Sequence, residues 1–236
     1  ILKQIQNLTA AGTQFMSVTK GAGGSLRGGS LPIAQLVKEH FHLPVIAHFT
    51  CRDLTPEEVE NQLMDHHYFG IRNILALRGD PPAGDANWVP NPKSYPYAFQ
   101  LIEQIRLLNQ GQFLERKGFS ATSKVHTDFC IGAAAYPDEP QKEIRIDNFI
   151  KKIQAGAEYG ITQMIYQVDS YSRFLEDVTA GAKRNVSAGI RTEVPVLPGL
   201  RLLRSRAQAE RMKSRFQIPI ANELIQKLPE IPEKTA

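Results

Sequence analysis

Ile74-Leu75-Ala76-Leu77-Arg78-Gly79-Asp80-Pro81-Pro82-Ala83-Gly84-Asp85 decides the fold class of this chain. Four apolar residues bounded by turn signals suit a strand buried on both faces. The strand runs straight into a cation, a flexible glycine and a carboxylate, and two prolines then stiffen the turn. In a parallel α/β barrel that carboxyl end of a strand is where chemistry sits. An ordinary strand exit carrying a surface Arg–Asp pair satisfies the same residues.

Outward from that stretch, strand and helix patterns alternate. On the N-terminal side, Leu2–Ala11 has helical spacing at Leu2, Ile5 and Leu8. Phe15–Thr19 is a short strand followed by the glycine-rich Lys20-Gly21-Ala22-Gly23-Gly24-Ser25. Free N–H groups in such a loop can face a phosphate, and a plain flexible connection has the same composition. Leu31–His42 predicts a helix with Ser30 as N-cap, and Pro44–Cys51 a strand with His48 near its carboxyl end. Thr55, Pro56 and Glu58 form a capping-box signature for a helix ending at Gly70.

On the C-terminal side, Pro81–Pro96 is a long loop with five prolines and the single tryptophan, Trp88. A helix starts at Tyr97 and ends near Asn109, and residues 110–127 carry no clear pattern. Phe129–Pro137 is a strand of small residues, which leaves room for something flat. Asn148–Gly156 predicts a helix, Ile161–Gln167 a strand, Tyr171–Ala182 a helix, Glu193–Leu200 a strand and Ser205–Phe216 a helix. The alternation argues for an α/β fold with parallel strands. Barrel and doubly wound sheet both satisfy it. The chain has no G-x-G-x-x-G with a following acidic residue and no P-loop, which favours the barrel.

Composition sets the outer limits. The 236 residues are 42% hydrophobic and 22% charged, ordinary for a globular protein. No apolar run is long enough to span a membrane, and the N-terminus has no signal-peptide pattern. Cys51 and Cys130 are far apart, so neither a disulfide framework nor a metal site is expected, and a cytoplasmic setting is. The net charge of +4 is not gathered with aromatics into one stripe, so no nucleic-acid partner is expected. A basic enzyme binding anionic cofactors accounts for the charge.

Taken in order, several strand ends resemble methylenetetrahydrofolate reductase, the flavin-dependent barrel enzyme of one-carbon metabolism. They are Val18-Thr19-Lys20-Gly21-Ala22, Ala47-His48-Phe49-Thr50-Cys51, Ala76-Leu77-Arg78-Gly79-Asp80, Ala134-Ala135-Tyr136-Pro137, Lys152 ahead of Ala155-Gly156-Ala157, Ile161-Thr162-Gln163, and Pro198-Gly199-Leu200. The set covers nearly the whole chain. The resemblance implies one (β/α)8 TIM barrel domain over residues 1–236, with FAD on its carboxyl-terminal face. It implies that NADH or NADPH reduces the flavin, after which methylenetetrahydrofolate takes the nicotinamide's place and is reduced to methyltetrahydrofolate. It places Thr19 and Ala22 beside flavin and nicotinamide. It assigns His48, Arg78, Gly79, Asp80, Ala98, Tyr136, Asn148 and Lys152 to FAD. It assigns Asp80 and Gln163 to catalysis and to substrate, and Gln208 to folate. It further implies a homo-oligomer or a subunit of a redox complex, with a role in methionine supply.

The residue types suit those roles. Arg78 and Lys152 can neutralise a pyrophosphate, and Tyr136 offers a flat face and a hydroxyl. A carboxylate at Asp80 disfavours extra negative charge on a reduced ring. Four departures stand beside the match. Lys20 replaces a customary aromatic residue, no histidine follows Tyr136-Pro137, and Leu202 stands in place of a customary proline. The family's glutamate general acid on its first barrel strand has no equivalent here. The resemblance thus predicts a barrel with its first and last strands missing, in an incomplete record of a longer chain. Two other functions fit parts of the pattern: a flavin- or folate-binding subunit without its own NAD(P)H activity, and a pterin-dependent methyltransferase, which needs no flavin.

Overall fold

A computed structural model describes residues 1–21, 29–82, 84–118, 120–184 and 193–231. Six strands alternate with helices along the chain, and every strand pair described is parallel, an α/β fold. The closed eight-stranded barrel implied by the resemblance is not present among the described residues, which carry six strands. The chain divides into two compact units, Ile1–Ala133 with Gln154–Glu158, and Ala134–Ile153 with Tyr159–Ala236.

The first unit holds α1 (Leu2–Ala10), β1 (Met16–Val18), α2 (Ser30–Phe41), β2 (Val45–Thr50), α3 (Pro56–Tyr68), β3 (Asn73–Leu77), α4 (Ala98–Asn109) and the first part of β4 (Cys130–Ala135). Its strands pair in chain order, with Ser17 opposite Ile46, Ala47 opposite Ile74 and Leu75 opposite Gly132. Alternation then separates two faces. Ala47, Phe49, Ile74 and Ala76 are fully buried on one of them, the face that α2 and α4 cover. Ser17, His48, Thr50 and Leu75 project from the other.

Local signals account for most element ends. Thr55 Oγ1 accepts from Glu58 N at 3.3 Å while the Glu58 carboxylate accepts from Thr55 N at 2.8 Å, the capping box expected from sequence. Helix α2 differs from expectation: Gly29, at φ +88°, occupies its N-cap, and Ser30 is its first residue. The glycine supplies a left-handed turn that a capping side chain would otherwise direct. Residues 110–127 form no helix or strand beyond one bridge between Gln112 and Thr122, and they are held by longer-range bonds. The buried Glu60 carboxylate accepts from Leu114 N at 2.7 Å and from Arg116 at 2.7 Å. Gly111, at φ +72°, is a fixed requirement, because a Cβ there would lie 2.5 Å from Ser123 O.

The second unit holds α5 (Lys142–Ala155), β5 (Tyr159–Met164), α6 (Val168–Arg184), β6 (Val196–Gly199), α7 (Arg206–Phe216) and α8 (Asn222–Gln226). Helix α5 begins six residues before the expected Asn148. Its buried stripe is Ile146, Phe149, Ile150 and Ile153, and Ile146 draws in the extra turn. The Phe149 and Phe174 rings, from α5 and α6, meet at 5.4 Å. Gly160 permits that packing, since a Cβ there would lie 2.7 Å from the Phe149 ring. Strands β5 and β6 shift register between Ile161 and Met164. At the shift Gly199 N donates to Thr162 Oγ1 at 2.8 Å, and a Cβ on Gly199 would sit 2.6 Å from Thr162 O. The glycine of Pro198-Gly199-Leu200 therefore follows from backbone approach. Ala209, Met212, Ile218, Ile220 and Ile225 close a separate apolar cluster around α7 and α8.

Candidate functional site

In the first unit the expected site residues gather at the carboxyl ends of β2 and β3. His48 is half-buried, and its Nε2 lies 2.6 Å from Ser17 Oγ on β1. Both side chains project from the face that the helices do not cover. Burial pushes the His48 pKa down to about 4, so the ring is neutral at physiological pH. Beyond β3, Arg78 and Asp80 are exposed and Gly79 sits between them at φ +89°. Gly79 has little room for a side chain, because a Cβ there would meet Arg52 Cβ at 3.0 Å. The Arg52 guanidinium donates to Asp80 O, which fixes the turn while leaving the Asp80 carboxylate outward. Cys51, fully buried, donates to Arg78 O at 3.9 Å and to Tyr95 O at 3.8 Å, and burial raises its thiol pKa to about 11.

Thr19 is exposed just past β1, and Ala98 is the half-buried first residue of α4. Ala22 lies outside the described residues. Lys20 leaves the expected cofactor side. Its Nζ donates to Gln62 Oε1 on α3 at 2.5 Å and lies 4.3 Å from the centre of the Phe49 ring, on the helix-covered face. Burial lowers its pKa to about 8.

In the second unit Tyr136 and Lys152 come together. Lys152 Nζ donates to Ala134 O at 2.8 Å and stands 5.5 Å from the centre of the Tyr136 ring, which is 48% exposed. Burial holds the Lys152 amine at a pKa of about 8. Asn148 is exposed one helical turn before Lys152 on α5. Gln163, half-buried in β5, uses its Oε1 to accept from Met164 N at 3.0 Å. Gln208 lies in the first turn of α7, where its N donates to Ser205 Oγ at 3.2 Å and its Oε1 accepts from Arg204 N at 2.7 Å. Neither glutamine joins the Tyr136–Lys152 pair through a described hydrogen bond.

Two contributors escaped the sequence reading. Ser17 was hidden in a three-residue strand, although its register with His48 follows once β1 and β2 pair. Asp53, a non-glycine residue at φ +61°, organises the proline-rich loop. Its carboxylate accepts from Trp88 Nε1 at 3.2 Å and from Asn91 N at 3.4 Å. An aspartate directly after a strand-end Cys-Arg was the available signal, since Asp tolerates the left-handed region better than most residues. Among the described residues no group of three or more His, Cys, Asp or Glu side chains could hold a metal ion. None of the described helices is long and apolar enough to cross a membrane.

The donor set suits a flavin dinucleotide. It offers two cations for phosphate charge, a neutral imidazole, an exposed aromatic face and a glycine turn that admits close approach. A buried amine whose partner is a single carbonyl retains donors for an anionic group.

Comparison with known proteins bears on the same residues. The chain is 32% identical over 220 residues to 5,10-methylenetetrahydrofolate reductase of Escherichia coli, covering 92% of this chain and 63% of that protein. It is 29% identical over 226 residues to methylenetetrahydrofolate reductase 2 of Schizosaccharomyces pombe, covering 91% of this chain and 32% of the relative. The chain thus spans less than two thirds of either relative. Among solved structures it is similar to a Clostridium thermocellum protein that binds two copies of 5-methyl-5,6,7,8-tetrahydrofolic acid, with a TM-score of 0.50 at 18% identity, over 96% of this chain and 78% of that one. That likeness bears on the fold alone. The family model described as methylenetetrahydrofolate reductase matches residues 1–236, and the chain belongs to that family.

Proposed function

We propose that this chain carries the FAD- and folate-binding barrel domain of a methylenetetrahydrofolate reductase, which reduces 5,10-methylenetetrahydrofolate to 5-methyltetrahydrofolate with NADH or NADPH. The observation that carries this reading is the family match along the whole chain. A bound flavin would supply the hydride chemistry, accepting from nicotinamide and donating to folate. The protein's part is to hold, orient and tune. Arg78 and Lys152 offset phosphate charge, and the Tyr136 ring offers a stacking face. His48 and Gly79 line the approach to the ring system. The outward Asp80 carboxylate opposes negative charge on a reduced ring and accepts hydrogen bonds from a pterin. Gln163 contacts nicotinamide and folate in turn, and Gln208 contacts folate. Thr19, Ala22, Ala98 and Asn148 complete the FAD contacts. The reading places the protein in the cytoplasm, as a homo-oligomer or a subunit of a redox complex.

The visible absorption spectrum tests the reading. Purified protein should show a flavin band that bleaches with dithionite and returns on adding methylenetetrahydrofolate. Protein that carries no flavin and cannot be reconstituted with FAD refutes it. A second reading, a binding subunit without NAD(P)H activity, is favoured by Lys20, which is turned toward Gln62 and Phe49 where the family usually has an aromatic residue. In that case folate reoxidises the flavin while neither NADH nor NADPH bleaches it.

A further inference from the structure

We propose that Ser17 is the positioning residue that holds His48 as a single neutral tautomer, with the proton on Nδ1. The two side chains come from adjacent parallel strands. Ser17 pairs in register with Ile46, so His48, two residues on, projects from the same face. The Oγ–Nε2 separation is 2.6 Å. Bonds in which a ring N–H donates to oxygen cluster at about 2.7–3.2 Å, whereas hydroxyl donors reach about 2.5 Å. The short separation therefore identifies the hydroxyl as donor and Nε2 as acceptor. A neutral imidazole has one N–H, so Nδ1 carries it. The low pKa of His48 keeps this neutral form in place across the physiological range.

The consequence for ligand recognition rests on the flavin reading above. With Nε2 occupied by Ser17, the ring's remaining polar atom is a donor. It is matched to an acceptor, such as a carbonyl oxygen or an unprotonated ring nitrogen of the isoalloxazine, and mismatched to a flavin N–H. Ser17 thereby selects what His48 can recognise without touching the ligand.

The test has two arms. The first uses apo protein with 15N-labelled histidine, with the His48 signals assigned by their loss in His48→Asn. The expected spectrum shows one His48 tautomer protonated at Nδ1. Ser17→Ala should give a mixture, and Ser17→Thr, which keeps the hydroxyl, should restore the single form. An Nε2-protonated ring in the parent protein, or an unchanged tautomer in Ser17→Ala, overturns the proposal. This arm contains no flavin, so it stands or falls separately from the flavin reading. The second arm titrates FAD into apo protein. Ser17→Ala should bind roughly three- to tenfold more weakly, the worth of one neutral hydrogen bond, with Ser17→Thr close to the parent. His48→Asn, whose amide nitrogen can stand near the Nδ1 position, should bind FAD more tightly than His48→Gln. Equal affinity of Ser17→Ala and the parent overturns the claimed link to recognition.

Discussion

Asp80 shows how a single side chain can be placed by backbone contacts that never touch its carboxylate. The Arg52 guanidinium holds the Asp80 carbonyl, and Gly79 turns the chain at φ +89°. The carboxylate is left free to act on a ligand. Asp80→Asn should keep flavin binding and slow hydride transfer to folate. At an effective dielectric for a partly exposed site, one charge is worth on the order of 1–2 kcal/mol, a slowing of roughly ten- to thirtyfold. Stopped-flow reoxidation of the reduced flavin by methylenetetrahydrofolate measures it, and an unchanged rate would remove Asp80 from the proposed chemistry. The residues of this turn were legible in sequence because they are contiguous. Lys20 was not. From its position beside the glycine-rich loop it reads as a cofactor-side cation, yet Gln62 and Phe49 draw it onto the helix-covered face. Which face a residue just past a three-residue strand takes is decided by partners more than 25 positions away, and a local pattern does not contain them.

Elements were legible in proportion to how local their causes are. The capping box of α3 depends on four consecutive residues, Thr55 to Glu58, and formed as read. Thr55→Ala should cost about 1 kcal/mol of stability, seen as a lower midpoint in urea with an unchanged slope. Helix α5 was read short because its charged first turns mask the stripe beginning at Ile146. Residues 110–127 were unreadable for a different reason: their order comes from Glu60, more than 50 positions earlier. Ser17 and His48 belong to the same class, since their meeting depends on β1 and β2 pairing in one register and no other.

For the whole molecule, buried ionisable groups set the response to pH. The His48 pKa, ordinarily near 6.5, is held at about 4, and burial lowers that of His66 as well. Between those values the unfolded chain binds protons that the folded protein refuses, so stability falls as pH drops from 6.5 toward 4. On the alkaline side Lys20 and Lys152 sit at about 8 against an ordinary 10.5. Above pH 8 the folded protein sheds protons that the unfolded chain still holds, so stability rises with pH. Cys51 acts oppositely between 9 and about 11, because its buried thiol keeps a proton that the unfolded thiol loses. The net expectation is a gain of roughly 1.5 kcal/mol from pH 8 to 9. Urea midpoints across that interval check it. A flat profile there would mean that neither amine is as desolvated as its surroundings indicate, and Lys20→Met should remove about half of the gain.

The buried Cys51 thiol has a use that needs no mutation. A thiol held protonated beneath Arg78 and Tyr95 cannot meet an alkylating reagent until that cover lifts. Its labelling rate at saturating reagent is therefore a clock for local opening of the strand ends that carry Arg78, Gly79 and Asp80. A ligand seated on that turn should stop the clock. Labelling of Cys51, followed by mass spectrometry with and without FAD, should slow in proportion to FAD occupancy, and an unchanged rate would place the ligand elsewhere. The protein thus carries its own reporter of whether this end of the sheet is engaged, in a residue that takes no part in the chemistry.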